Sequence, residues 1–173
     1  MSVLVGKQAP DFTVAAVMPD GSIKPDFKLS DYRGRYVVLF FYPLDFTFVC
    51  PTELIAFSKR IKEFEARDVQ VIGCSIDSQF THIAWRNTPV DEGGIGAVAY
   101  PLLADVKHEI CQAYDVEFEQ AGVAFRGSFL IDKDGKVRHQ VVNDLPLGRN
   151  VDEMLRMKFD QQSVKEAAAW LNK

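Results

Sequence analysis

Tyr36-Val37-Val38-Leu39-Phe40-Phe41-Tyr42, then the irregular stretch Pro43 to Val49, then Cys50-Pro51-Thr52-Glu53-Leu54: this part of the sequence decides the fold. Seven consecutive apolar residues rich in β-branched and aromatic side chains make the pattern of a strand buried on both faces. From Pro51 to Arg67, Leu54, Phe57, Ile61 and Phe64 recur at helical spacing with charges between them, which predicts one amphipathic helix. Pro51 suits the first helical position, where its missing N–H costs nothing. A second apolar run, Val69 to Ile76, follows at once. Strand, helix and strand therefore make a βαβ unit with parallel strands and a right-handed crossover.

Working outward, Asp11 to Asp31 alternates short apolar segments around the turn signal Pro19-Asp20-Gly21-Ser22, which predicts an N-terminal hairpin. Downstream, Gln79 to Arg86 reads as a helix, Asp91 to Gly96 as a flexible glycine loop, and Asp105 to Tyr114 as a further helix. Ser128 to Ile131 and Lys136 to Val142 flank Asp132-Lys133-Asp134-Gly135, whose Asp-Gly pair suits a tight turn. Asn150 to Phe159 and Ser163 to Asn172 return to helical spacing. This order of elements is similar to the thioredoxin-like fold: α/β, with a mixed central sheet, helices on both faces and the hairpin as an extension. One domain over residues 1–173 is expected, with 150–173 as a helical tail.

The chain has 173 residues, 47% hydrophobic and 25% charged, the composition of a soluble globule. No apolar run approaches the roughly 20 residues needed to span a bilayer. The first residues lack the basic-then-apolar pattern of a secretion signal, so a cytoplasmic location is expected. With net charge −4 and scattered basic residues, phosphate-backbone binding is not expected, and nucleic acid is excluded as a partner. Cys50, Cys74 and Cys111 are too few and too widely spaced for a disulfide scaffold. His82, His108 and His139 form no spaced cluster with them, so no metal site is expected, and no glycine-rich dinucleotide fingerprint follows the first central strand, so no cofactor is expected either.

Cys50 lies where a buried strand hands over to a helix. Unsatisfied N–H groups and the positive end of the helix dipole there favour thiolate over thiol, against the alternative of a small apolar residue under a helix. Its surroundings carry more information. Pro43-Leu44-Asp45-Phe46-Thr47-Phe48-Val49-Cys50 resembles the peroxidatic loop of the peroxiredoxins. Phe40 to Pro43, Val49 to Glu53, Gly93 to Gly96, Ala124 to Gly127 and Asn143 to Arg149 are likewise similar to segments of the typical two-cysteine group, which includes alkyl hydroperoxide reductase C. The similarity extends from Val5 to Met157.

The resemblance implies a cofactor-free thiol peroxidase acting on hydrogen peroxide and organic hydroperoxides, with Cys50 as nucleophile. It implies that Thr47 orients the peroxide, Arg126 stabilises thiolate and leaving oxygen, and Pro43 closes the pocket. Glu53 and Arg149 would support the guanidinium. Taken singly, Thr47 also reads as a loop hydroxyl, Pro43 as a strand stop and Arg126 as a solvated charge. A thiol reductant, either a thioredoxin-type protein or a small thiol, and a homodimer assembling into a homodecamer are the implied partners. Family members that hold unfolded clients or sense peroxide supply the alternative function: an oligomeric holdase chaperone or sensor without efficient turnover.

The chain also departs from the family. Typical members carry a second cysteine in a C-terminal Val-Cys-Pro motif, and here Val151 to Met157 leads almost directly to Gln161 to Ala167, as if an internal segment were deleted. Resolution of the sulfenic acid then falls to an external thiol, with Cys111 or Cys74 as lesser candidates. Members prone to overoxidation combine the glycine loop with a Tyr-Phe pair on the tail, where this chain has Ala169-Trp170-Leu171. A thioredoxin-type oxidoreductase is excluded because Cys50-Pro51-Thr52-Glu53 has a carboxylate where the second thiol belongs. A cysteine phosphatase is excluded because Ala56 and Phe57 stand where its arginine is needed.

Overall fold

In the computed structural model, which describes residues 2–156, the βαβ unit forms as its apolar pattern dictates. The hairpin β1 (Thr13–Val17) and β2 (Ile23–Lys28) precedes β3 (Tyr36–Phe41), α1 (Cys50–Lys59), α2 (Ile61–Glu65) and β4 (Val69–Ser75). There follow α3 (Gln79–Asn87), β5 (Leu102–Ala104), α4 (Glu109–Ala113), the short hairpin β6 (Glu117–Phe118) and β7 (Val123–Ala124), then β8 (Arg126–Ile131), β9 (Val137–Asn143) and α5 (Val151–Arg156). Seven strands make one mixed sheet in the order β2-β1-β5-β4-β3-β8-β9. β3 runs parallel to β4, with Phe41 opposite Cys74, and antiparallel to β8, with Phe40 opposite Ser128.

The period-2 alternation of the central strands divides the core in two. Val37, Leu39, Phe41, Ile72 and Cys74 face one side and pack with Ile110 and Cys111 of α4. Val38, Phe40, Tyr42 and Val71 face the other, packing with Cys50, Leu54 and Phe57 of α1, Trp85 of α3 and Met154 of α5. Helices thus cover both faces. At the centre of the second face the Phe40 ring stacks on Phe57 at 4.6 Å and meets the edge of Tyr100 at 5.6 Å.

Several boundaries differ from the sequence reading. The helix expected from Pro51 to Arg67 breaks at Arg60, whose backbone (φ −107°, ψ 13°) leaves the helical region, while its side chain pairs with Glu63 and Asp152. Cys50, not Pro51, is the first helical residue. The helix expected over Asp105 to Tyr114 shrinks to α4 because the Asp105 carboxylate accepts from the N–H groups of Ile110 and Cys111 and starts the helix late. The glycine loop is built rather than loose: Trp85 Nε1 donates to the Gly93 carbonyl at 2.8 Å, and Ile95 is buried. Strands β5, β6 and β7 are too short to show a period in the sequence. The second tail helix, Ser163 to Asn172, and Ala169 to Leu171 lie outside the described residues.

The loop that leaves β3 is pinned by a buried polar chain. Tyr42 Oη donates to Asp45 Oδ1 at 2.9 Å, the Asp45 N–H donates to Asp77, and Asp45 Oδ2 lies 2.7 Å from His82 Nδ1 on α3. His82 Nε2 faces the Leu103 carbonyl at 3.0 Å. A carbonyl only accepts, so Nε2 carries a proton and the Asp45–His82 contact shares one more. Burial pushes the Asp45 carboxyl up. Burial alone would depress His82, but its hydrogen bond to Asp45 and the Asp45 charge outweigh that and hold it above the ordinary 6.5.

Phe40→Ala should cost about 3–5 kcal/mol, read from urea unfolding. The Asp45–His82 pair sets a second expectation. Because the folded pair binds its proton more tightly than the unfolded chain, its contribution to stability is full below pH 6.5 and is lost as pH rises through the raised His82 value. The urea midpoint of wild type should therefore decline over that range and that of His82→Gln should not; parallel profiles would remove the pair from the account.

Candidate active site

Cys50 opens α1 with Val49 as its N-cap, and its side chain is buried although Phe48, two residues earlier, is fully exposed. β8 lies beside β3, and its first residue, Arg126, reaches across to the helix end. Arg126 Nη1 sits 3.4 Å from Cys50 Sγ and donates to Glu53 Oε2 at 2.6 Å, while its Nε donates to the Leu145 carbonyl at 2.7 Å. Arg126 is 4% exposed, which excludes the reading as a solvated surface charge.

Glu53 is also buried, three residues into α1 from Cys50. Its two oxygens accept from Arg126 and from the backbone N–H, Nε and Nη2 of Arg149 at 2.7, 3.1 and 3.1 Å. Arg149 is held in turn by the carbonyls of Phe41 and Gly127 at 2.6 and 3.0 Å and lies 4.9 Å from the centre of the Phe40 ring. Burial lowers the Arg149 pKa from its ordinary value, opposed by the charge and hydrogen bonds of Glu53. The cluster contains two guanidinium groups and one carboxylate, an excess of one positive charge, with the sulfur at its rim. Such a group can stabilise negative charge on sulfur and on an oxygen departing beside it.

Thr47 lies in the loop before Cys50, its hydroxyl donating to the Leu44 carbonyl at 3.1 Å, and Pro43, the second residue past β3, is buried. The other two cysteines belong elsewhere. Cys74 and Cys111 are buried in the core on the opposite face of the sheet from Cys50. Burial, reinforced by Asp105, pushes both thiols up.

One expectation needs correction: His108 does meet a cysteine. The side-chain donors of His108, Cys111 and Glu117 lie within 4.8 Å of one another. The i, i+3 spacing of His108 and Cys111 was the available signal, and Glu117 could not be placed beside them without the β6–β7 hairpin.

Comparison with known proteins finds relatives along most of the chain. Peroxiredoxin-1 of Gallus gallus is 58% identical over 153 residues, covering 88% of this chain and 76% of the relative. Alkyl hydroperoxide reductase C of Helicobacter pylori is 58% identical over 156 residues, covering 90% and 78%. The reduced 2-Cys peroxiredoxin of Plasmodium vivax superposes with a TM-score of 0.90 at 44% identity, over 95% of this chain and 85% of that one. The AhpC/TSA family model matches residues 5–140, and the chain belongs to the AhpC/TSA family.

Proposed function

We propose that the protein is a thiol-dependent peroxidase in which Cys50 reduces hydrogen peroxide and organic hydroperoxides. The observation that carries this is the Arg126 guanidinium, 3.4 Å from the Cys50 sulfur and locked by Glu53. The ionised sulfur attacks one peroxide oxygen, an S–O bond forms and the O–O bond breaks. The departing oxygen leaves with the electron pair and takes a proton, giving water or alcohol, and Cys50 becomes a sulfenic acid. Arg126 stabilises the charge on sulfur before attack and on the leaving oxygen during it. The Thr47 hydroxyl spends its proton on Leu44, so its lone pairs are what it offers to a peroxide O–H. Pro43 walls off water.

The resolving step belongs to an external thiol. Cys74 and Cys111 are separated from Cys50 by the sheet. The similarity to peroxiredoxins and alkyl hydroperoxide reductases supports turnover over a holdase or single-use sensor role. A thioredoxin-type or small-thiol reductant, a single-domain protomer, a homodimer assembling into a decamer and a cytoplasmic setting complete the proposal. No helix among the described residues is long and apolar enough to cross a membrane.

Peroxide consumption with dithiothreitol tests the assignment. Cys50→Ser should abolish it, and Arg126→Lys should slow it about 10²–10³-fold, because a point charge does not replace the guanidinium fork. Undiminished activity in either variant would refute the corresponding role. Dithiothreitol should sustain turnover while thioredoxin does so poorly, with the sulfenic acid detected by mass spectrometry; efficient thioredoxin-driven cycling would refute the absence of an internal resolving thiol.

A further inference from the structure

The His108, Cys111 and Glu117 cluster lies beside the core face opposite Cys50, and the peroxide chemistry does not use it. His108 Nδ1 is 2.6 Å from Glu117 Oε1, and the Cys111 thiol donates to the His108 carbonyl at 3.3 Å. We propose that these three side chains form a binding site for a borderline-soft divalent cation of the zinc class.

Three observations support it. The first is the donor set: one imidazole nitrogen, one sulfur and one carboxylate oxygen suit zinc with a fourth position open to water, whereas calcium or magnesium would call for oxygen donors alone. The second is the spacing. Bonds of roughly 2.0–2.3 Å at tetrahedral angles place donor atoms roughly 3.3–3.8 Å apart, so the present cluster needs shifts of about an ångström. His108 and Glu117 can make them, because their side chains are 26% and 14% exposed and open a path to solvent. Cys111 need not move, since Asp105 accepts from its N–H at 2.8 Å and fixes its backbone. The third is the local field. The Asp105 carboxylate, which accepts from the N–H groups of Ile110 and Cys111, stands beside the Glu117 carboxylate that faces His108 Nδ1, and two carboxylates this close favour a cation.

On binding, the thiol proton of Cys111 leaves to solvent and the metal–sulfur bond replaces the contact to the His108 carbonyl. The metal would clamp α4 to the β6–β7 hairpin, from which the chain runs through Phe125 to Arg126, and would hold Cys111 out of thiol exchange. The proposal does not depend on the peroxidase assignment.

Co²⁺ titration of the Cys50→Ser protein tests it, with the thiolate-to-cobalt charge-transfer absorption as readout. One equivalent should bind and give the band, and Zn²⁺ should bleach it by displacement. Cys111→Ser should abolish the band, His108→Ala and Glu117→Gln should each weaken binding at least about tenfold, and Cys74→Ser should leave it intact. Absence of the band, or its persistence in Cys111→Ser, overturns the site. Should Cys111→Ser fail to fold, the more exposed His108→Ala decides alone, and unchanged Co²⁺ affinity in that variant is equally fatal.

Discussion

A buried carboxylate shared by two buried guanidinium groups is the constraint on which the rest of the structure turns. Removing each of these ions from water costs several kcal/mol, recovered only where geometry and hydrogen bonding are close to complete. Glu53 meets that condition through three N–H donors from Arg149 and one from Arg126. The arithmetic of charge does the remaining work: two cations and one anion leave a surplus, and Cys50 Sγ is positioned at the guanidinium that carries it. Because attraction in a dry site is several-fold stronger than in water, the surplus is felt by whatever anion forms there.

The fold is arranged to bring those three charges together from distant parts of the chain. α1 supplies Glu53 and Cys50 on one turn, β8 supplies Arg126, and the segment after β9 returns to supply Arg149. Sheet order makes this possible, since β3 lies directly between β4 and β8. Backbone carbonyls of Phe41 and Gly127, on the paired strands β3 and β8, hold Arg149. Space beside Arg126 is tight at Gly127, where a Cβ would meet Val116 at 3.0 Å and Phe129 at 3.1 Å and those side chains would have to give by a few tenths of an ångström.

The parts legible in the sequence were those written in long periodic runs. Tyr36 to Tyr42 and Val69 to Ile76 give the central parallel pair, and the helical spacing from Leu54 to Phe64 gives the crossover. The N-terminal and late hairpins were marked by Pro-Asp-Gly and Asp-Gly turn chemistry. Cys50 is legible from its place at the strand-to-helix junction, whereas Glu53 and Arg126 follow only from the resemblance to a known motif; no periodicity joins Arg126 to a helix more than seventy positions earlier. What the sequence does not display depends on tertiary contacts. Arg60 breaks its helix while bonded to Asp152 of α5, β5 has only three residues, and the Asp45–His82 pair joins a loop to α3 through groups that look unrelated in sequence.

The sheet also has a chemical meaning for the three sulfurs. It stands as a wall between Cys50 and the other two, so a disulfide from Cys50 to Cys74 or Cys111 within one folded chain is blocked while that wall is whole. A covalent link recovered between Cys50 and either one would therefore be a record of molecules that had come apart, and its rate of accumulation would count those openings.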